Sequence, residues 1–289
     1  MIIWLASYPR SGNTMTRTII KSCLGLDSFD DEAQHIQRIL SRESRDMAGY
    51  VEMAEPWESF YPKAKASSSV YLIKTHRLPQ DDSPAIYVLR DGRSSIWSYL
   101  KFLDSFFPES QPSLPKVILG HDYYGGWSDH IKAWEERPSG ALLSLRFEQL
   151  VNADSAMLEN ISTFIDFKGN IKPWKNPIEK LHQENPQFYR EGKTEWKRPE
   201  SWTDNVENLF ALMHGDCQRR LGYPVSAFGE KIASPDFYRD IADLAKSLIE
   251  QNRQLQTVCQ ERLQLIQTLD LEAKKRLDII QKMQSPVSL

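Results

Sequence analysis

Cysteine is scarce: Cys23, Cys217 and Cys259 are the three in 289 residues. They lie far apart and match no metal-ligand spacing, which argues against a disulfide framework or a zinc ribbon and suits a reducing compartment. No apolar run approaches the length of a bilayer span. No basic segment precedes the first apolar run, which begins at Ile2, so a secretory leader is not expected. Neither sign of charge dominates, since 36 basic residues face 39 acidic ones for a net charge of −3. No global field then favours nucleic acid or an anionic membrane, and any anion site has to be built locally. The expectation is a cytoplasmic protein with no nucleic-acid and no membrane partner, long enough to bury a sizeable core.

What is present starts at once. Residues 2–6 are an apolar run fit for a strand buried on both faces, and residues 7–14 are rich in turn formers and hydroxyls. From Thr14 onward Ile19, Ile20, Cys23 and Leu24 recur at helical spacing. Strand, tight polar turn and helix make a phosphate cradle, because turn N–H groups and a helix N-terminus point at one spot. The nucleotide-binding signature G-x-x-x-x-G-K-(S/T) is nevertheless missing. Asn13 stands between Gly12 and Thr14 where that motif has lysine, and the cation comes earlier, at Arg10.

Further along, residues 27–45 read as a second helix and residues 47–69, with Pro56 and Pro62, as a surface loop. Residues 70–73 form an apolar strand ending in Lys74-Thr75-His76. Residues 85–89 form another, ending in Arg90 and followed by a helix over residues 95–106 that carries Ser98. A loop is expected over residues 107–115, a helix from Trp127 to Trp134, a fourth strand over residues 141–147 and a helix over residues 153–165. Short helical pieces among prolines follow over residues 168–186, and then a basic loop over residues 188–197. The helix that ends at Gly222 is expected from residue 204. Three strand ends therefore deliver Arg10, Lys74 with His76, and Arg90, and a parallel α/β sheet brings them to one edge.

The last stretch, residues 236–283, contains neither proline nor glycine. Ile241, Leu248, Leu255 and Leu269 share one heptad position, and Leu244, Val258, Leu265 and Ile279 another. Gln251, Arg262, Glu272 and Arg276 interrupt the seam. A continuous helix of this length reaches about 70 Å. The expected division is a catalytic domain over residues 1–228 and a helical, coiled-coil-like tail over residues 229–289 that either pairs with a second copy, the preferred reading, or folds back on the domain.

These motifs, in this order, resemble those of the cytosolic-type sulfotransferases. Tyr8-Pro9-Arg10-Ser11-Gly12-Asn13-Thr14 is similar to that family's 5′-phosphosulfate loop, and Lys74-Thr75-His76 to its catalytic strand end. Tyr87-Val88-Leu89-Arg90 through Ser98 resembles its 3′-phosphate motif. Phe147-Glu148 matches a Tyr-Glu-Asp strand end, and Arg190-Glu191-Gly192 through Trp196-Lys197 a glycine loop that is one residue shorter. The resemblance spans residues 1 to about 228 and implies a P-loop NTPase-like α/β fold, a central parallel sheet flanked by helices.

It also implies a donor, 3′-phosphoadenosine 5′-phosphosulfate (PAPS), with no metal, and a small-molecule alcohol, phenol or amine as acceptor. His76 would be the general base and Lys74 would stabilise the transferring group. Arg10 would hold the phosphosulfate, with Ser11, Gly12, Asn13 and Thr14 around the phosphate. Arg90, Ser98, Arg190 and Gly192 would take the 3′-phosphate. Met15 and Phe147 replace the usual tryptophan and tyrosine beside adenine, and Glu191 replaces a lysine. Two other readings compete: a nucleotide kinase using ATP and Mg²⁺, and an inactive nucleotide-binding head on a coiled coil. The absent glycine-lysine pair and the Arg90-Asp91 strand end speak against the first. Lys74 and His76 together speak against the second. Tyr123, Tyr124, Trp97, Phe102 and Phe106 are candidates for the wall of an acceptor pocket, although ordinary core is the first expectation for each.

Overall fold

Ile2–Ser7 forms β1, and every one of its residues is buried, as expected of a parallel strand covered on both faces. The computed structural model describes residues 1–32, 39–189, 192, 194–226 and 235–284. After β1 the chain enters α1, Asn13–Ile19, which widens into a π turn over Ile20–Leu24 and stops at Gly25 in a left-handed conformation. Then come β2 (Phe29–Asp30), α2 (Arg42–Met47), α3 (Trp57–Ala66), β3 (Tyr71–Thr75), β4 (Ala85–Leu89) and α4 (Gly92–Phe106). These are followed by α5 (Leu114–Ile118), α6 (Trp127–Glu135), β5 (Leu142–Arg146), α7 (Phe147–Leu150), α8 (Ser155–Phe164), α9 (Ile178–Glu184), α10 (Asp204–Arg220) and α11 (Pro235–Gln284).

The strands make one sheet in the order β2-β3-β1-β4-β5, with every pairing parallel. Leu5 is level with Lys74 and Ile86, and Ala6 with Thr75 and Tyr87. The chain therefore leaves β1, β3 and β4 at one edge, where the loop after Ser7, His76 and Arg90 follow. Strand alternation sorts the core. Ile3, Leu5, Ile86 and Val88 pack under Ile19 and Ile161, so α1 and α8 cover that face. On the other, Trp4 meets Trp57 of α3 and Trp134 of α6 at ring separations of 6.1 and 6.5 Å. Trp4 and Tyr61 both donate to Asp81, each at 2.8 Å. Those bonds hold the Asp81 carboxyl down at about 2 although partial burial opposes this.

Four expectations change. Residues 27–45 are not one helix: Phe29–Asp30 is an edge strand on β3 and Arg42–Met47 a short helix capped by Ser41, while residues 33–38 lie outside the described ones. The loop expected over residues 47–69 contains α3 despite Pro62. A proline inside a helix costs about 3 kcal/mol, and here an aromatic face offsets it, with Trp57 on Trp4 and Phe60 on Tyr71. Asp91 caps α4 by accepting from the Ser94 N–H at 3.0 Å, so the helix starts at Gly92, three residues before the expected Ser95. Ser113 likewise starts α5 inside the expected 107–115 loop.

The chain divides into two compact units, Met1–Lys231 and Ile232–Leu289. The second holds α11, one continuous helix of 50 residues. Leu255, Leu263, Leu265, Ile266 and Leu269 are exposed along it.

Candidate active site

The turn after β1 is held by unusual backbone angles and by side chains that reach back into the sheet. Arg10 takes a left-handed φ of 65° and Gly12 a φ of 115°. The first costs a non-glycine residue free energy, and such strain concentrates at functional sites. Gly12 is also required sterically, because a Cβ there would stand 2.7 Å from Cδ2 of Phe147. Asn13 donates from Nδ2 to the Leu5 carbonyl at 2.8 Å, stitching the turn to β1, while its Oδ1 is buried without a hydrogen-bond partner. The Ser11 hydroxyl meets that of Ser95 at 3.1 Å inside the protein. The Ser11 N–H donates to the Tyr8 carbonyl at 3.2 Å, so both polar groups of Ser11 brace the turn. The first N–H groups of α1 have no intrahelical acceptor and stand beside this turn.

His76 is fixed by its neighbours. Its Nδ1 lies 2.8 Å from the Ser7 carbonyl, and a carbonyl only accepts, so the proton is on Nδ1 and the lone pair on Nε2. Burial first, and then the positive charge of Lys74, hold the imidazole well below its usual pKa. It is neutral at pH 7, the state a proton acceptor requires. Its own carbonyl accepts from Nε2 of buried His130 at 2.8 Å, and His130 Nδ1 accepts from the Tyr87 hydroxyl at 2.8 Å.

Lys74 is no lone cation. Its ammonium is 3.3 Å from Asp30 and 3.1 Å from Glu32. Burial disfavours its charge, yet Asp30, Glu32 and Asp31 overcome this and raise its pKa. Asp30 is shared with buried Arg17 at 3.3 Å. Glu32 also accepts from the Tyr124 hydroxyl at 2.9 Å, and the Tyr124 ring stands edge-on to His76 at 5.8 Å.

Arg10 and Arg90 grip the opposite side. Arg10 donates from Nε to Ser98 Oγ at 3.3 Å and from a terminal nitrogen to the Phe188 carbonyl, lying over the rings of Phe102 and Phe188. Its guanidinium thus sits beside Ser98, the residue expected at the 3′-phosphate. Arg90 donates to the Arg10 carbonyl at 2.9 Å and stacks on Phe147 at 4.1 Å. Phe147 is therefore enclosed by Gly12 and Arg90. Met15 is built into the core with Ile19 and also reaches the cavity wall. Gly192, at a φ of 65°, packs near Ile178. Arg190 and Glu191 lie outside the described residues.

A cavity of about 1480 Å³ connects these groups, with Gly12, Thr14, His76, Arg90, Ser98 and Gly192 in its wall. Trp97, Phe102, Tyr123 and Tyr124 line it, whereas Phe106 packs on Phe102 and Phe188. Sequence reading missed Asp30, Glu32 and His130. The acidic pair was assigned to a helix, and His130 carries no local signal beyond its place in α6. Among the described residues no cluster of His, Cys, Asp or Glu could hold a metal ion, and no helix is long and apolar enough to cross a membrane.

A family model described as Sulfotransferase domain matches residues 2–208. Sulfotransferase 1B1 of Mus musculus is 29% identical over 181 residues, 57% of this chain and 58% of that protein. Sulfotransferase 4A1 of Mus musculus is 25% identical over 199 residues, 63% of this chain and 65% of that protein. The chain thus spans less than two thirds of the length of these curated relatives. A solved mouse sulfotransferase, SULT7A1 complexed with PAP, is 17% identical with a TM-score of 0.48, covering 76% of this chain and 88% of that one.

Proposed function

We propose, for a chain that belongs to the sulfotransferase domain family, that it transfers the sulfuryl group of PAPS to a hydroxyl of a small-molecule acceptor. The observation that carries this reading is His76. It is neutral and fixed with its lone pair on Nε2, and it stands in the same cavity wall as Gly12 and Thr14. The residues present fit a bisphosphorylated adenosine donor: a turn that opens into the N-terminus of α1, a glycine that no side chain can replace, and Arg10, Ser98 and Arg90 together. When bound, the donor supplies an activated sulfur and a good leaving group.

The chain's residues do the rest. His76 Nε2 accepts the acceptor's proton as the new oxygen–sulfur bond forms. The turn N–H groups and Lys74 stabilise charge near the bridging oxygen, whose bond to sulfur breaks in line. Asp30 and Glu32 hold Lys74 in place for that task. Ser98, Arg90 and Gly192 take the 3′-phosphate side, with Arg190 assigned there by the motif alone. Arg10, expected at the phosphosulfate, is reassigned to this side because its guanidinium donates to Ser98, and Met15 and Phe147 give the adenine apolar surface. No metal is assigned a part. The kinase reading is not favoured, because Gly12-Asn13-Thr14 lacks the lysine that grips a triphosphate.

The reading includes a cytoplasmic location, a transfer domain over residues 1–228 and a tail over residues 229–289 that joins two copies through α11. The test is PAP release from PAPS in the presence of a panel of phenols and alcohols. The wild-type chain is expected to release PAP. His76→Ala is expected to lose about 10²–10⁴-fold in rate with unchanged affinity for PAP. Release at the wild-type rate by His76→Ala would overturn the assignment.

A further inference from the structure

The charges set among the apolar residues of α11 carry a direction. Leu255, Val258, Leu265 and Leu269 are exposed along this helix and occupy the two seam positions of a heptad repeat. Arg262 and Glu272, also exposed, occupy the same two positions. A charge in such a seam is costly unless the facing helix answers it, and seam and flanking charges fix register and orientation in coiled coils. Arg262 and Glu272 stand about 15 Å apart along one helix, so they cannot meet each other within a chain.

Two copies of α11 can lie parallel or antiparallel, and the charges separate the two cases. In a parallel, in-register pair each seam residue faces its own copy. Arg262 then meets Arg262 and Glu272 meets Glu272, while the flanking Glu261 meets Ile266. Both charged layers repel, and no opposite charge offsets them. An antiparallel pair sets the first seam position of one helix against the second of the other. Centred on Gln267, it brings Arg262 level with Glu272 of the second copy, Leu269 with Leu265 and Leu255 with Ile279. One flank then joins Glu261 to Lys275, and the other joins Ile266, which is exposed, to its own copy. Twofold symmetry makes each charge pair occur twice. Arg276 falls against Val258, whose apolar surface its aliphatic stem covers. Sliding one copy by a heptad toward fuller overlap sets Arg262 on Leu265 and Glu272 on Leu255, leaving both charges unanswered.

We propose that α11 is the docking surface for a second copy of this chain in antiparallel orientation, in the register that sets Arg262 against Glu272. This rests on the reading that the tail joins two copies, and adds the direction and register of the joint.

The experiment is sedimentation equilibrium of the full-length protein beside Arg262→Glu, Glu272→Arg and the double swap. In the antiparallel register each single swap turns both Arg–Glu pairs into like-charge contacts, and dimer affinity is expected to fall about 10–100-fold. The double swap restores both pairs reversed and is expected to recover most of that loss. Glu272→Arg also removes the i,i+4 neighbour of Arg276. The double swap keeps that local loss, so its recovery has to come from the pairing. A spin label on exposed Cys259 gives a second reading, in a Cys217→Ser background with Cys23 buried. The antiparallel register puts the two labelled positions about 24 Å apart along the axis, whereas a parallel pair holds them level, about 10 Å apart. Single swaps that dimerise like wild type, a double swap no better than either, or labels closer than about 20 Å would overturn the proposal. A wild-type chain that stays monomeric would instead overturn the pairing reading beneath it.

Discussion

Replacing Gly12 by alanine tests the cradle at its narrowest point. The residue sits at a φ of 115°, and an added Cβ meets Cδ2 of Phe147 at 2.7 Å and Cγ1 of Val88 at 3.4 Å. Holding an alanine at such an angle costs about 1–2 kcal/mol. Phe147 cannot retreat freely, because it is only 5% exposed and the Arg90 guanidinium lies 4.1 Å from its ring. Forcing it aside adds about 1–3 kcal/mol of overpacking. A total of about 3 kcal/mol corresponds to a fall in melting temperature of about 6–12 °C for a unit of this size. The same displacement moves Arg90, which donates to the Arg10 carbonyl, so PAP affinity is expected to fall with stability. Scanning fluorimetry with and without PAP reads both effects. In a Phe147→Leu background the overpacking share should shrink while the backbone share remains. A Gly12→Ala protein that melts within about 1 °C of wild type and binds PAP normally would refute the reasoning.

Two further outcomes follow from the structure. His214 is buried, its Nε2 donating to the Ile118 carbonyl and its Nδ1 facing the Ser128 hydroxyl, each at 2.8 Å, and burial lowers its pKa to about 4. Between about pH 6.5 and 4 the unfolded chain binds a proton that the folded one does not, so this group's contribution is complete above 6.5 and is lost as pH falls, by up to about 3 kcal/mol. His214→Gln should therefore be less stable than wild type at pH 7 by an amount that narrows toward pH 4.5; a gap independent of pH in urea titrations would contradict this. Deleting residues 235–289 is expected to leave a folded monomer that binds PAP, with the intact chain running as a dimer in light scattering; an insoluble truncation, or a monomeric intact chain, would sink the proposed role of the tail.

What the sequence made legible follows from how each element is buried. β1, β3 and β4 are covered on both faces, so each appears as a continuous apolar run, and the cations and His76 mark their ends. β2 is two residues long, one of them Asp30, and leaves no such trace. Without β2 the capture of Lys74 by Asp30 and Glu32 could not be foreseen, because it depends on β2 lying beside β3. Pro62 disguised α3, whose reason for existing is the distant Trp4. His76 was singled out from its position, but the tautomer on which its proposed role depends comes from Ser7, 69 residues away.

The central claim is that this cavity takes a 3′-phosphorylated donor and not a nucleoside polyphosphate with magnesium. Isothermal calorimetry of the purified chain with 3′,5′-adenosine bisphosphate, run beside ADP with Mg²⁺, tests it most directly. The account predicts saturable, tight binding of the bisphosphate and none of ADP with Mg²⁺. Binding of ADP with Mg²⁺ and none of the bisphosphate would contradict it.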